Sequence, residues 1–246
     1  MVRSFGFAHP GTRTHGPQLW LTNTAILAHM IVADDNAETT AADEGSAYQE
    51  SPHRGWHSRG YHPHFDSPEK LQSITFRLHD SVPLALIERW RDEIVELDPA
   101  RSRQDQLMAQ IADYEDAGIG DCWLKDPRIG AIVESALLHF DGQQYRLLEW
   151  CVMPNHVHAL VEVLLGCRLA AIVQGWKSHS ARRANRVLNR TGAFWMLDYF
   201  DRYVRNEAHL TLVREYIRMN PVKAKLCERP EQWRWSSASK AESRSV

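Results

Sequence analysis

The sequence predicts an α+β protein in which a mainly antiparallel sheet is covered by helices. Segments with alternating apolar residues interleave with segments of helical periodicity, which is typical of a layered α+β fold. Two of the strand-like segments follow each other through the short connection Pro154-Asn155, and only antiparallel strands can be joined so tightly. The 246 residues are 43% hydrophobic and 24% charged, as in an ordinary globular protein.

Each element is predicted from its own pattern. Strands are expected where apolar and polar residues alternate, at residues 73–80, 145–153, 156–165 and 197–205. Helices are expected at helical spacing, at residues 83–97, 101–116, 128–140, 168–188 and 207–219. Asp80 or Ser81 is the expected cap of the first helix and Asn206 that of the last, which Pro221 should stop.

The first 52 residues differ from the rest. They contain an acidic, small-residue-rich stretch without periodicity, so a disordered extension is expected at 1–52, followed by a folded domain at 53–240 and a tail at 241–246. Because Met30 lies just before the acidic stretch, a second hypothesis is that translation starts there. The apolar run at 19–32 is too short and too interrupted to span a bilayer, so a cytoplasmic protein is expected.

Charge is unevenly distributed along the chain. Residues 145–246 contain 17 basic and 9 acidic side chains, a net charge of +8, whereas the whole chain has −2. A basic half is typical of nucleic-acid binding. The four cysteines have no C-x-x-C spacing, which argues against a zinc knuckle or a disulfide framework and fits a reducing compartment.

His156-Val157-His158 is the sharpest local motif. On a strand, residues i and i+2 lie on one face about 6.6 Å apart along the chain, so the two imidazoles can converge on one divalent ion. The same spacing also occurs in metal-free proteins, as two half-exposed side chains. His62-Pro63-His64 is a weaker case, since its central proline cannot donate to a sheet.

Tyr216 and Asn220 are four residues apart on the last predicted helix and therefore share a face. Each has an ordinary interpretation, as a core tyrosine and as a residue at the helix end. Combined with two histidines, Asn220 is a candidate oxygen ligand. A mixed nitrogen and oxygen set with open positions favours Mg²⁺ or Mn²⁺, and Tyr216 is then a candidate nucleophile beside a bound phosphate.

The helix between these motifs has a basic face next to aromatic residues. Such a combination is typical of single-strand binding, because bases stack on rings while cations contact phosphates. A solvated charged face and core aromatics explain the same pattern. The candidate DNA-binding residues are Lys177, Arg182, Arg183, Arg186, Arg190 and Trp176. The chain has no G-x-S-x-G, P-loop, G-x-G-x-x-G or H-E-x-x-H motif.

Five runs of sequence, in order, resemble the REP-associated tyrosine transposases, a group of Y1 transposases related to the IS200/IS605 elements. The runs are LLEWCVMPNHVHALVEV, WKSHSARRANR, FWMLDYFDRYVRNEAH, EYIRMNPVKAKL and WRWSS. The openings RGWHSRGYHPHFD and SITFRLHDSVP are also similar to that family, so the resemblance covers about residues 53–240. Met196 and His62 depart from the residues that the family usually has there, and neither belongs to the candidate catalytic set.

The resemblance implies a ferredoxin-like sandwich with the histidine pair on a central strand and the tyrosine on a C-terminal helix. It implies that His156, His158 and Asn220 bind the metal, and that Tyr216 attacks single-stranded DNA at palindromic repeat hairpins. We therefore expect a metal-dependent endonuclease and strand transferase, a monomer or homodimer associated with the nucleoid. Two alternatives remain: a hairpin-binding protein that has lost this chemistry, and a metal-dependent nuclease that uses water.

Overall fold

A computed structural model describes residues 55–58, 63–66, 70–94 and 103–241. The predicted disordered extension, the alternative start at Met30 and most of the predicted tail lie outside these residues. The strands are β1 Gly55–Ser58, β2 Pro63–Asp66, β3 Leu71–Arg77, β4 Tyr145–Val152, β5 His156–Val163 and β6 Phe200–Tyr203. The helices are α1 Leu84–Glu93, α2 Arg103–Asp116, α3 Pro127–Leu138, α4 Leu169–Val187, α5 Glu207–Lys223 and α6 Ser237–Ala241.

Four strands form one antiparallel sheet in the order β4-β5-β3-β6. Taken along the chain, β3, helices, β4, β5, α4 and β6 follow the β-α-β-β-α-β arrangement of ferredoxin-like folds. The predicted α+β class and ferredoxin-like topology are thus confirmed. β1 and β2 pair with each other as a separate antiparallel ribbon.

The two faces of the sheet bury different clusters. Val157, Ala159, Val161 and Val163 of β5 are fully buried and join the core beneath α3 and α4. Because side chains alternate along a strand, His156, His158 and Leu160 lie on the opposite face, which α5 covers. This alternation places both histidines under the helix that carries Tyr216.

Helices α1 and α2 follow β3 and precede α3 in the chain. They pack against each other around an apolar cluster that includes Ile87, Trp90 and Ile111. The last turn of α2 is joined to the β4–β5 turn, because the side-chain amide of Asn155 donates to the carbonyl oxygens of Glu115 and Ile119, each at 3.0 Å. α2 therefore ends beside the beginning of β5.

Several predicted element ends differ from the structure. Asn206 caps α5 as predicted, accepting a hydrogen bond from the His209 amide at 2.8 Å. The helix does not stop at Pro221, however, but continues to Lys223. The prediction for α1 was also wrong: Pro83 is its N-cap and makes no side-chain cap bond, because the Ser81 hydroxyl donates to the carbonyl oxygen of Leu78 instead.

The apolar run at 19–32 lies outside the described residues. Cys122 and Cys151 are buried free thiols, and Cys167 and Cys227 are half-buried free thiols. Within the residues that the structure describes, no helix is long and apolar enough to cross a membrane.

Candidate active site

The histidine pair forms the floor of the site. His156 and His158 are 1% and 3% exposed, and their Nε2 atoms are 2.9 Å apart. The outer nitrogen of each ring is held: Nδ1 of His156 is 2.8 Å from Oδ1 of Asn155, and Nδ1 of His158 is 2.8 Å from the Thr75 hydroxyl. Both rings are therefore aimed with Nε2 toward a common point.

These contacts determine which nitrogen carries hydrogen. The Asn155 amide group donates to two carbonyls, so its Oδ1 can only accept, and His156 must carry hydrogen on Nδ1. Nε2 of His156 then carries no hydrogen and has a free lone pair. Nε2 of His158 accepts from Nδ2 of Asn220 at 3.1 Å, so it is a lone pair too. Two acceptors facing each other at 2.9 Å form an arrangement that a cation stabilises.

Helix α5 brings the other two predicted residues to the same place. Asn220 is fully buried, and its Oδ1 has no hydrogen-bond partner. Tyr216, one turn earlier and 4% exposed, packs its ring edge-on against His158 with 5.2 Å between the ring centroids. The four residues that the sequence singled out from two distant segments are thus adjacent in space.

The end of α2 adds acidic groups that the sequence did not single out. Oδ1 of Asp116 lies 3.7 Å from Nε2 of His156. Its neighbour Glu115 is 4% exposed and forms an ion pair of 3.0 Å with Arg77, whose backbone pairs with His156 across the sheet. Two turns beyond Tyr216 along α5, the Lys223 ammonium lies 5.2 Å from the Tyr216 ring centroid and has no hydrogen-bond partner.

Burial determines the protonation of the histidines. It lowers the pKa of His156 to about 3, helped by the nearby Arg77 charge. It also lowers the pKa of His158 well below its ordinary value, with His156 and Lys223 acting in the same direction. Both imidazoles are therefore neutral at pH 7, the form that binds metal.

The pKa values of Asp116 and Tyr216 are raised rather than lowered. Burial, Glu115 and Asp113 raise the pKa of Asp116 to about 8 against the opposing Lys223 charge. Burial also raises the pKa of Tyr216 well above its ordinary value, with the Asp116 and Glu115 charges adding to the effect and a hydrogen bond from Asn220 opposing it.

Sequence comparison identifies the segment that carries this geometry. Residues 127–220 match the family model of the IS200-like transposases. This segment of the chain is therefore similar to the IS200-like transposases. The matched segment begins at the first residue of α3 and ends at Asn220, so it includes the histidine pair and Tyr216.

Comparison of structures gives two further likenesses. The first is to a REP-associated tyrosine transposase bound to a REP hairpin, at 12% identity and a TM-score of 0.47, covering 74% of this chain and 85% of that one. The second is to a putative transposase from Deinococcus radiodurans R1, at 19% identity and a TM-score of 0.28, covering 65% and 94%. No match was found among curated protein sequences. The assignment rests on the family model.

The donor set of the candidate site fits a divalent metal. Two neutral imidazoles offer converging lone pairs, and the orphaned Oδ1 of Asn220 can reach the position of Nδ2 by rotation of the amide. The described part of the chain contains no ready group of three His, Cys, Asp or Glu ligands. A third ligand must therefore come from an amide or from a carboxylate that moves slightly.

The basic helix α4 presents only part of the predicted DNA-binding set to solvent. Arg182, Arg183 and Arg186 are exposed on the second half of α4. Because α4 connects β5 to β6, which run in the same direction, it runs antiparallel to β5. Its C-terminal half therefore lies at the same end of the sheet as His156, although on the other face.

The other predicted DNA-binding residues are buried or half-buried and contact the protein itself. Trp176 is 3% exposed, and its indole donates to the Tyr145 hydroxyl in the core, which corrects the prediction that its ring stacks on bases. Lys177 is 7% exposed and donates to the carbonyl oxygen of Leu197 at 2.7 Å. Arg190 is half-buried and lies over the rings of Trp123 and Phe194, 5.9 Å from each centroid. These contacts hold the loop after α4 in place.

A separate cleft of about 1140 Å³ lies between α1 and α4. Arg77, Arg168 and Lys177 line it, together with mainly apolar side chains. None of the histidine pair, Tyr216 or Asn220 faces it. The cleft is therefore distinct from the site described above.

Proposed function

We propose that this protein cleaves and rejoins single-stranded DNA through a covalent bond to Tyr216. The observation that carries the proposal is the packing of Tyr216 against His158, with Asn220 bonded to the same imidazole. A nucleophile and a set of metal ligands converging on one buried point is the arrangement that phosphoryl transfer to a side chain needs.

The proposed reaction replaces one phosphodiester by another. The phenol oxygen of Tyr216 forms a bond to phosphorus, the bond from phosphorus to the 3′ oxygen breaks, the phenol loses its proton, and the 3′ oxygen leaves as a hydroxyl after taking up a proton. The product is a 5′-phosphotyrosine. Since the bond energy is kept, attack by another 3′-hydroxyl reverses the chemistry and reseals the DNA.

The residues of the chain have distinct roles in this scheme. Asn155 and Thr75 fix the two rings, and His156, His158 and Asn220 would bind a divalent ion, Mg²⁺ or Mn²⁺. When bound, such an ion supplies positive charge that polarises the scissile phosphate and favours ionisation of a nearby phenol. The Lys223 ammonium lies 5.2 Å from the centroid of the Tyr216 ring and adds positive charge on that side of the site.

The proposed substrate is hairpin DNA formed by palindromic repeats. The resemblance of the sequence motifs to REP-associated tyrosine transposases supports this choice. The exposed Arg182, Arg183 and Arg186 offer positive charge to phosphates at the sheet end where β5 begins. Palindromic repeats flanking the gene would supply the sequence for an assay.

A denaturing gel tests the chemistry. A single-stranded oligonucleotide that contains such a repeat, labelled on its 3′ side, should form a covalent adduct with the protein in Mg²⁺ or Mn²⁺. Tyr216→Phe should form no adduct while its DNA affinity stays within about twofold, because one hydroxyl is lost from a buried ring. Tyr203→Phe, on β6, is the matched control and should form the adduct.

The gel also separates the rival functions. Cleavage without an adduct in the wild type indicates a nuclease that uses water, and binding without cleavage indicates a protein that has lost the chemistry. An adduct formed by Tyr216→Phe would reject the assignment of the nucleophile. Removing divalent ions with EDTA should abolish the adduct and leave the folded protein intact.

A further inference from the structure

We propose that Asp116 is a further ligand of the divalent ion and supplies a carboxylate oxygen from α2. The inference rests on the proposed function, because it assumes the ion that His156, His158 and Asn220 would bind. It adds a residue that lies 40 positions before the histidine motif in the sequence and outside the segment that matches the transposase family model.

The first step of the argument is distance. Oδ1 of Asp116 lies 3.7 Å from Nε2 of His156, and the two Nε2 atoms are 2.9 Å apart. Ligand atoms that share one ion at about 2.0–2.2 Å lie roughly 3–4 Å from one another. The separation between the Asp116 oxygen and His156 is therefore compatible with a shared ion, and a slight movement of the carboxylate would complete the ligand set.

The second step is the chemistry of the donor set. Two neutral imidazoles and an amide oxygen provide no negative charge, whereas Mg²⁺ and Mn²⁺ prefer oxygen ligands and carboxylates above all. Asp116 supplies the missing charge. The orphaned Oδ1 of the fully buried Asn220 independently points to a cation at this place.

The third step is the way that α2 is held. Glu115, its neighbour, pairs with Arg77, and the Asn155 amide donates to the Glu115 carbonyl oxygen. Asn155 also accepts from His156, so the same residue orients a metal ligand and fixes the end of α2. A loosely attached helix end would not keep a carboxylate at a buried imidazole.

Calorimetric titration with Mn²⁺ tests the inference on the full chain without DNA. Asp116→Asn should weaken Mn²⁺ binding at least tenfold, since it removes the charge and keeps the shape. Asp113→Asn is the matched control, because it makes the same charge change at an exposed position one turn earlier on α2, and its affinity should stay within about twofold. His158→Ala should reduce binding more than either.

The outcomes separate the two proposals. If His158→Ala abolishes binding and Asp116→Asn binds Mn²⁺ like the wild type, the role of Asp116 is rejected and the proposed metal site stands. If the wild type does not bind Mn²⁺, or His158→Ala binds it unchanged, the metal site is rejected, and the role of Asp116 with it. Circular dichroism melts without metal verify that each variant is folded.

A second variant distinguishes a ligand from a structural side chain. Asp116→Cys should bind Cd²⁺ more tightly relative to Mn²⁺ than the wild type does, by tenfold or more, because a thiolate is a softer ligand than a carboxylate. A side chain that only packs against His156 would leave the ratio of the two affinities unchanged. An unchanged ratio in a folded Asp116→Cys protein overturns the inference.

Discussion

The hydrogen bond from His158 to Thr75 allows the metal-site geometry to be tested away from the ligands themselves. Thr75 lies on β3 directly opposite His158, and its hydroxyl is 2.8 Å from Nδ1. As long as Thr75 accepts, the hydrogen stays on Nδ1 and Nε2 remains available to a cation. Thr75→Val keeps the shape of the side chain and removes the acceptor.

Without that acceptor, the hydrogen of His158 is better placed on Nε2, where it can be donated to Nε2 of His156 at 2.9 Å. The proton then occupies the position of the ion. The variant loses the bond from His158 to Thr75 and gains one from His158 to His156. Its free energy of unfolding should therefore fall by about 1 kcal/mol at most. Metal affinity should fall about 10- to 100-fold, the usual effect of losing the partner that orients a histidine ligand.

Mn²⁺ titration with Thr75→Ser as the control measures this effect. Serine retains the hydroxyl, so Thr75→Ser should bind within about threefold of the wild type. Nitrogen NMR of the histidine rings should show the hydrogen of His158 on Nδ1 in the wild type and on Nε2 in Thr75→Val. If Thr75→Val binds Mn²⁺ within twofold of the wild type, the tautomer argument is wrong.

Two further predictions concern the elements that hold the site. Gly130→Ala on α3 should destabilise the protein by about 1–2 kcal/mol, because the new Cβ would lie 2.7 Å from the Trp235 indole nitrogen, and this overpacking exceeds the helical gain of alanine. Gly175→Ala on α4 meets no atom within 4 Å and should stabilise by up to about 1 kcal/mol; equal urea midpoints for the two variants would contradict the packing argument. Arg218→Ala should cost about 1–3 kcal/mol, because it removes bonds of 2.6 and 3.1 Å to the buried carboxylate of Glu149, which anchors α5 to β4. Arg146→Ala, whose pair with Glu162 is largely exposed, should cost less than about 1 kcal/mol, and a larger loss in a thermal melt than that of Arg218→Ala would reverse the ranking.

Local periodicity predicted the parts of the site that depend on a single element. Alternation along β5 predicted that His156 and His158 share a face, and helical spacing predicted the same of Tyr216 and Asn220. That the two faces meet was suggested by the family resemblance rather than by either pattern. In the structure, α5 covers the histidine face of the sheet because its apolar residues, such as Leu210 and Val213, pack on that side.

The burial of Trp176 was predictable from the same periodicity. It lies three and four residues after Val173 and Ile172 on the buried stripe of α4, whereas Arg182 and Arg186 lie off that stripe. Trp176 is near the arginines in sequence, but the helical period places its ring on the buried side of α4. Its position on the stripe is the signal that separates a core ring from a stacking surface.

Asp116 and Lys223 could not be predicted in the same way. Asp116 lies in a helix that is ordinary by composition, and its position beside His156 depends on long-range bonds from Asn155 to the end of α2. Lys223 follows Pro221, which was predicted to stop the last helix. Because the helix continues through the proline, Lys223 lies beside Tyr216 rather than in a loop.

The charges around Tyr216 would explain why the proposed nucleophile depends on a cation. Burial and the acidic end of α2 both raise the pKa of the phenol, so without further positive charge Tyr216 remains protonated and a poor nucleophile at neutral pH. The same acidic groups that disfavour the phenolate would favour a divalent ion at the histidine pair. An ion there would cancel the effect of Asp116 and add positive charge near the phenol. In the proposed mechanism, metal binding would therefore activate the nucleophile, because the acidic side chains that keep Tyr216 protonated are the ones that attract the ion.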